Sequence, residues 1–309
     1  MGKIAFVFSG QGAQHVGMGQ TFYEHILAVK DLYDKAEALR PSTLEQCFTG
    51  DGTALKQTEN TQPCLYLADM AACLAMMDAG IHPDGAAGFS LGEIPALAVG
   101  GAYSALDGFQ IAMKRGAAMA KASEGVEASM MAVVKIPAEQ AEELAKPYDK
   151  IFPVNYNSPM QLVFSGDKAQ LDAFAKDVKA AKGRGVMLAV SGAFHSPYMT
   201  PAVAPFAKEL EQFEIAPPTK AVVYANYTAA PYEDDPRATM LSQIDHPVQW
   251  VKLIRQMAAD GYDTFVETGV GNTLQKLISQ ILPDARVYGV EDMESRDAAA
   301  AELKGAATC

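Results

Sequence analysis

The stretch Gly85-Ala86-Ala87-Gly88-Phe89-Ser90-Leu91-Gly92 decides the architecture. Its small and apolar first half reads as a short strand, Ser90 falls at a sharp turn, and Leu91 opens a helix. Upstream, Lys3 to Phe8 reads as a buried strand ending in the turn-rich Ser9-Gly10-Gln11-Gly12-Ala13-Gln14. A helix is predicted from about Gly19 to Leu39. A nearly all-apolar one is predicted from Pro63 to Ala79, with Pro63 in its first turn and Gly80 as its stop. Downstream, Ser104-Ala105-Leu106-Asp107 resembles a capping box and starts a helix that runs to about Ala122 and carries Arg115. Strands alternating with helices predict an α/β fold with a mainly parallel sheet covered on both faces.

The pattern changes between about Val126 and Val190. Strands are expected at Met130 to Ile136, Ile151 to Asn157, Gln161 to Gly166 and Gly185 to Val190, with helices at Ala138 to Ala145 and Lys168 to Ala181. That β-α-β-β-α-β order is ferredoxin-like and can close on its own core. The expected division is therefore a large α/β unit, residues 1–126 and 194–309, carrying an inserted small unit, residues 127–193. After it, a helix is expected from about Val248 to Ala259, a strand from Tyr262 to Glu267, and a helix from Asn272 to Ile281. The Ala-rich tail from about Glu294 is weakly specified.

Composition narrows the function classes. The 309 residues are 49% hydrophobic and 20% charged, which is ordinary for a globular chain. The net charge of -12 argues against nucleic acid, whose phosphates need a concentrated basic face. The start runs straight into a strand, and no apolar run approaches the ~18 residues of a membrane span. Cys47, Cys64, Cys73 and Cys309 show no C-x-x-C spacing, so a reducing, cytoplasmic setting is expected.

Gly88-Phe89-Ser90-Leu91-Gly92 matches G-x-S-x-G, the turn that exposes a nucleophilic serine between a strand and a helix whose free N–H groups can face an oxyanion. Such a serine needs a base. His25 falls on a polar helix, and His82 and His246 each precede a proline. His15 lies in a Gly-rich loop. His195, in Gly192-Ala193-Phe194-His195-Ser196-Pro197, sits in a small, partly apolar turn and reads equally well as a structural histidine or a base. A hydrolase triad would place an acid between serine and histidine. Asp107, Asp149, Asp167, Asp172 and Asp177 lie there, and most read as caps or exposed positions.

Taken in order, Ser9 to Gln14, Gly88 to Glu93, Lys114-Arg115-Gly116, Asn155-Tyr156-Asn157-Ser158-Pro159, Phe194-His195-Ser196, Pro247-Val248-Gln249-Trp250 and Glu267 to Gly271 resemble the malonyl-CoA:acyl carrier protein transacylase family over nearly the whole chain. The resemblance implies an α/β-hydrolase-like core with a ferredoxin-like lobe. It implies Ser90 as nucleophile and His195 as base, with backbone N–H groups of Gln11 and Leu91 as the oxyanion hole. A main-chain carbonyl near Gln249 would orient His195 in place of an acid. Arg115, on composition alone a solvated helix residue, would grip the malonyl carboxylate. Leu91 and Phe194 would disfavour an α-methyl branch, and Asn157 would touch the pantetheine arm. No cofactor is implied, since the coenzyme A thioester is a substrate.

Two positions depart from the family's usual residues: Phe89 replaces a histidine, and Ser9 replaces a proline, which is expected to leave the first loop less rigid. The expected partner is an acidic acyl carrier protein, met by Lys176, Lys179, Lys182 and Arg184, with the enzyme a monomer. Two rivals remain open from sequence: a serine thioesterase or other hydrolase, and a non-catalytic carrier-protein docking protein. The sequence does not choose between fatty acid and polyketide synthesis.

Overall fold

The computed structural model describes residues 2–190 and 192–307, so Cys309 lies outside the described residues. Among the described residues, nine strands form two sheets. Strands β1 (Lys3–Phe8), β2 (Gly85–Gly88), β7 (Val222–Tyr224), β8 (Tyr262–Thr268) and β9 (Arg286–Val290) make one parallel sheet in the order β7-β2-β1-β8-β9. Strands β3 (Ala128–Val134), β4 (Ile151–Ser158), β5 (Gln161–Asp167) and β6 (Arg184–Met187) make an antiparallel sheet in the order β4-β5-β3-β6. The α/β class and the separate antiparallel unit are as the sequence predicts. With helices Ala138–Ala145 and Lys168–Ala180 between its strands, the second sheet has the β-α-β-β-α-β order.

Side-chain alternation along β1 shows why the parallel sheet is covered twice. Ile4, Phe6 and Phe8 enter one core with the helices Thr58–Asp78 and Ala105–Ser123. Ala5 and Val7 enter another with the helices Trp250–Ala259 and Thr273–Ile281. A third core, around Met131, Phe164 and Phe174, closes the small sheet on its own two helices. The two units are stitched where Val248 N–H donates to the Val154 carbonyl (2.8 Å) and Tyr156 N–H donates to the Val248 carbonyl (3.0 Å).

The chain leaves β1 toward β2 on one side of the sheet and returns to β8 on the other, which makes the β1/β8 boundary a topological switch point. In open parallel sheets, the crevice at the carboxyl ends of such strands is where ligands bind. Phe8, Gly88 and Thr268 lie level in register, so the loops that follow β1, β2 and β8 converge.

Several elements differ from expectation. The first long helix is two, Gln20–His25 and Leu27–Leu39, broken where Ile26 is extended. The apolar helix begins at Thr58, five residues before Pro63, which lies inside it and gives up the bond to the Glu59 carbonyl. Strands β7 and β9 and the helices Thr43–Phe48, Thr200–Leu210 and Arg237–Asp245 went unread. The tail forms the helix Met293–Ala307, docked through Ala299, Ala300 and the fully buried Leu303. Among the described residues, no helix is long and apolar enough to cross a membrane.

Truncating Leu303 should therefore open a core cavity and cost about 2–4 kcal/mol. Urea unfolding of Leu303→Ala beside the parent protein checks this; an unchanged midpoint would return the tail to the weakly specified class.

Candidate active site

The turn after β2 is set by backbone contact. A Cβ on Gly88 would lie 1.9 Å from the Gly92 carbonyl carbon, and one on Gly92 would lie 2.3 Å from the Phe8 carbonyl oxygen. Only glycine fits at either position, and the chain between them turns with Ser90 at φ 54° before the helix Glu93–Gly100 begins.

Ser90 Oγ lies 2.7 Å from His195 Nε2. His195 Nδ1 lies 2.8 Å from the main-chain carbonyl of Gln243. A carbonyl can only accept, so the proton sits on Nδ1 and Nε2 offers its lone pair to the serine hydroxyl. The sequence expectation placed this acceptor at Gln249, which is a correction. Gln249 caps the Trp250–Ala259 helix, and its carbonyl accepts the Leu253 N–H at 2.9 Å as the helix's first bond. A carbonyl does orient the base, but it belongs to the end of the unread Arg237–Asp245 helix.

Arg115 is 1% exposed. Its Nη1 donates to Gln62 Oε1 (2.8 Å), and its Nη2 donates to Gln243 Oε1 (2.7 Å) and to Ser90 Oγ (3.2 Å). Among the described residues no carboxylate forms an ion pair with it; amide oxygens hold the guanidinium in place without neutralising it. Gln243 also donates from Nε2 to the Ser90 carbonyl (2.7 Å), so one residue touches nucleophile, base and cation. Nothing in its sequence context flags it. Gln62 and Thr58, which accepts from Gln11 Nε2 at 3.2 Å, were missed because they precede Pro63.

Burial, and after it the Arg115 charge, pushes His195 down to about 4 against the raising effect of the Gln243 carbonyl. Burial lowers Arg115 to about 10, opposed by Glu93. Burial raises Glu93 to about 7, opposed by bonds from Tyr232 and Asn226 and by the Arg115 charge.

Two neighbouring cavities lie against the nucleophile turn, and the inner one holds Ser90. The inner one, ≈ 70 Å³, is lined by Ser90, Leu91, Arg115, Gln62, Phe194 and His195, among others. The outer one, ≈ 230 Å³, runs along the switch-point crevice past Gly10, Glu267 and Leu274 to Asn155 and Asn157 of β4. Gln11, Phe89, Asn155 and Leu188 line both and form the neck between them. Phe89 packs edge-on against Trp250, ring centres 5.5 Å apart, and makes one side of the neck apolar. The Oδ1 atoms of Asn155 and Asn157 are buried without a partner, as acceptors awaiting a ligand would be. Ser9, expected to leave its loop less rigid than a proline would, donates from Oγ to the buried Asp69 carboxylate at 2.7 Å. The exposed His15 pairs with Glu291, away from Ser90.

Comparison with known proteins gives the family and the fold. Residues 5–304 match the acyl transferase domain family. The malonyl CoA-acyl carrier protein transacylase of Bacillus subtilis is 33% identical over 98% of each chain, and that of Staphylococcus aureus 36% identical over 95% of this chain and 97% of its own. The chain belongs to the malonyl-CoA:acyl carrier protein transacylase family. Among solved structures, the Clostridium perfringens transacylase superposes with a TM-score of 0.94 at 32% identity, covering 99% of this chain and 98% of its own. A type II polyketide malonyl-transacylase solved with its acyl carrier protein gives a TM-score of 0.91 at 28% identity, covering 97% of this chain and 99% of its own.

A base must be neutral to take a proton, and its neutral fraction rises with pH through its pKa. With His195 held near 4, Ser90 should react with a serine-directed sulfonyl fluoride at a rate that is flat above about pH 6 and declines toward pH 4. Timed intact-mass measurements from acid to neutral pH check this; an acidic limb centred on the ordinary imidazole value of 6.5 would contradict it.

Proposed function

We propose that the chain transfers a malonyl group from malonyl-CoA to the phosphopantetheine thiol of an acyl carrier protein through an ester on Ser90. The observation that carries this reading is Arg115: a buried cation, bonded to the nucleophile's hydroxyl and, among the described residues, hydrogen-bonded only to neutral groups. Burying an unpaired charge is costly, so the site is built for a ligand that brings an anion to within one acyl unit of Ser90. A thioester with a terminal carboxylate has that shape. The inner cavity takes the short acyl group, and the outer cavity takes the extended pantetheine arm along Asn155 and Asn157.

In the first half-reaction Ser90 Oγ attacks the thioester carbonyl while His195 Nε2 takes its proton. The tetrahedral oxyanion faces the backbone N–H groups of Leu91 and Gln11, which flank the inner cavity. The C–S bond then breaks, and the imidazolium returns the proton to the coenzyme A sulfur. In the second half-reaction His195 takes the proton of the carrier thiol, the sulfur attacks the ester, and Ser90 leaves with that proton. The cycle uses no cofactor, and all its groups belong to one chain, so a monomer suffices. Leu91 and Phe194 crowd the acyl carbon and would disfavour a methyl branch by about 1–3 kcal/mol.

The carrier protein would dock on the small unit. Lys176 and Lys179 on the Lys168–Ala180 helix, Lys182 in the turn after it and Arg184 on the edge strand β6 are exposed, and the chain just beyond β6 supplies Leu188 and Val190 to the inner cavity. Replacing Lys176 and Lys179 together with Glu should raise KM for the carrier protein roughly tenfold and leave formation of the acyl-enzyme from malonyl-CoA unchanged. Separate assays of the two half-reactions check it; equal loss in both would move the docking face elsewhere.

Brief mixing with malonyl-CoA should add one malonyl group, seen by intact mass, and Ser90→Ala should abolish the adduct. Arg115→Ala should cut the preference for malonyl over acetyl roughly a hundredfold, the worth of about 3 kcal/mol of charge-assisted bonding. Equal labelling of the parent protein by both thioesters would sink the malonyl assignment.

A further inference from the structure

We propose that Asn226 is the positioning residue of the nucleophile turn, a clamp that sets where Ser90 Oγ points without touching substrate. Asn226 lies two residues beyond β7, the strand that pairs with β2, so the sheet itself delivers it beside Gly88 and Ser90. Its carboxamide spans the turn: Oδ1 accepts the Ser90 N–H at 2.7 Å and Nδ2 donates to the Gly88 carbonyl at 2.5 Å. One planar group thus fixes both ends of the two-residue step through Phe89 that carries the chain into the left-handed conformation of Ser90. Left-handed backbone at a non-glycine residue persists only where its surroundings over-determine it.

Asn226 is itself held on its main-chain side. Its N–H donates to Glu93 Oε2 (2.6 Å), whose other oxygen accepts from Tyr232, and its carbonyl accepts the Gln249 N–H (2.8 Å). The residue is fully buried and lines neither cavity. The clamp also decides the oxyanion donors. Because the Ser90 N–H is committed to Asn226, stabilisation of the tetrahedral oxygen falls to other backbone donors, as the reading above has it. This inference rests on that reading for its reaction, but its geometry concerns the reactivity of Ser90 toward any acylating or sulfonylating reagent.

The test compares the parent protein with Asn226→Ala, Asn226→Asp and Tyr232→Phe in two assays. One is the rate and endpoint of malonyl-adduct formation by quenched intact mass. The other is the rate of Ser90 modification by phenylmethylsulfonyl fluoride, which needs no malonyl site. A misplaced nucleophile can cost about a hundredfold, so Asn226→Ala should slow both reactions roughly 30- to 300-fold. The adduct should still reach one per chain, with KM for malonyl-CoA within about threefold of the parent, because Asn226 contacts neither cavity. Asn226→Asp keeps the acceptor for Ser90 N–H and loses the donor to Gly88, and should fall between, near tenfold. Tyr232→Phe should cost only a few-fold.

A native rate with a sub-stoichiometric endpoint would mean that Asn226 serves folding alone, and native rates and endpoints would mean no role; either overturns the clamp. If Asn226→Ala does not fold, the aspartate variant decides by the same criteria. If the parent protein reacts with the sulfonyl fluoride and forms no malonyl adduct, the functional reading falls while the clamp is still judged by the sulfonyl fluoride rates.

Discussion

Between Gly88 and Gly92 there is room for hydrogen and nothing larger, and from that contact the rest of the site follows. Backbone pressed on backbone leaves the intervening residues one way to turn, and the turn lifts Ser90 out of the sheet with φ at 54°. A left-handed serine costs about 1–2 kcal/mol. The cost is carried because Gly92 is in turn seated against the Phe8 carbonyl, which ties the turn to the strand at the centre of the sheet. With β1, β2 and β8 ending level, the Gly10–Gly12 loop, the nucleophile and the Thr268 corner are brought together by register alone.

The electrostatics have one theme, which is that, among the described residues, no carboxylate of the protein hydrogen-bonds to the base or to the cation, and Glu93 acts on Arg115 only through space. A triad acid beside His195 would stabilise the imidazolium, but it would also stand near Arg115 and compete with an incoming carboxylate. A main-chain carbonyl orients the same imidazole without a charge, and two glutamine oxygens orient the guanidinium without quenching it. What is given up is imidazolium stability, visible in the depressed His195 pKa. A thiolate leaving group tolerates this. Thiols protonate near pH 8.5, far above His195, so the proton passes downhill to the departing sulfur.

Ser90 was legible from its own G-x-S-x-G turn, whereas His195 and Arg115, ambiguous or unremarkable by themselves, became legible only through the resemblance of the ordered motifs around them to the transacylase family. The ferredoxin-like order was legible because its strands and helices switch period cleanly. The partners that orient these groups were not. The carbonyl that holds His195 could come from any residue type, so only the path of the backbone distinguishes Gln243 from Gln249. Gln62 and Thr58 were lost when Pro63 was read as a helix start, since first-turn prolines are common and a proline one turn further in gives no separate signal. The Arg237–Asp245 helix has almost no amphipathic pattern, because its buried positions mix the polar Gln243 with Met240 and Ile244. Asn226 acts across 136 residues of chain, a separation no local pattern encodes.

The two cavities explain how a long, flexible thioester can be held in register with a single oxygen atom. Their shared walls, Gln11, Phe89, Asn155 and Leu188, come from the β1 loop, the nucleophile turn, β4 and the chain after β6, so the neck is closed by both lobes at once. A substrate with its carboxylate on Arg115 and its amide-bearing arm along Asn155 and Asn157 must place the bond between those two halves in the neck. That bond is the thioester. Binding energy collected at either end, several ångströms from the chemistry, is thereby converted into the alignment of one carbonyl with Ser90 Oγ, which is where fixed geometry contributes most to rate. The apolar face of Phe89 in the neck, backed by the buried Trp250, favours the same arrangement, because a thioester sulfur needs no hydrogen-bond partner there while water would.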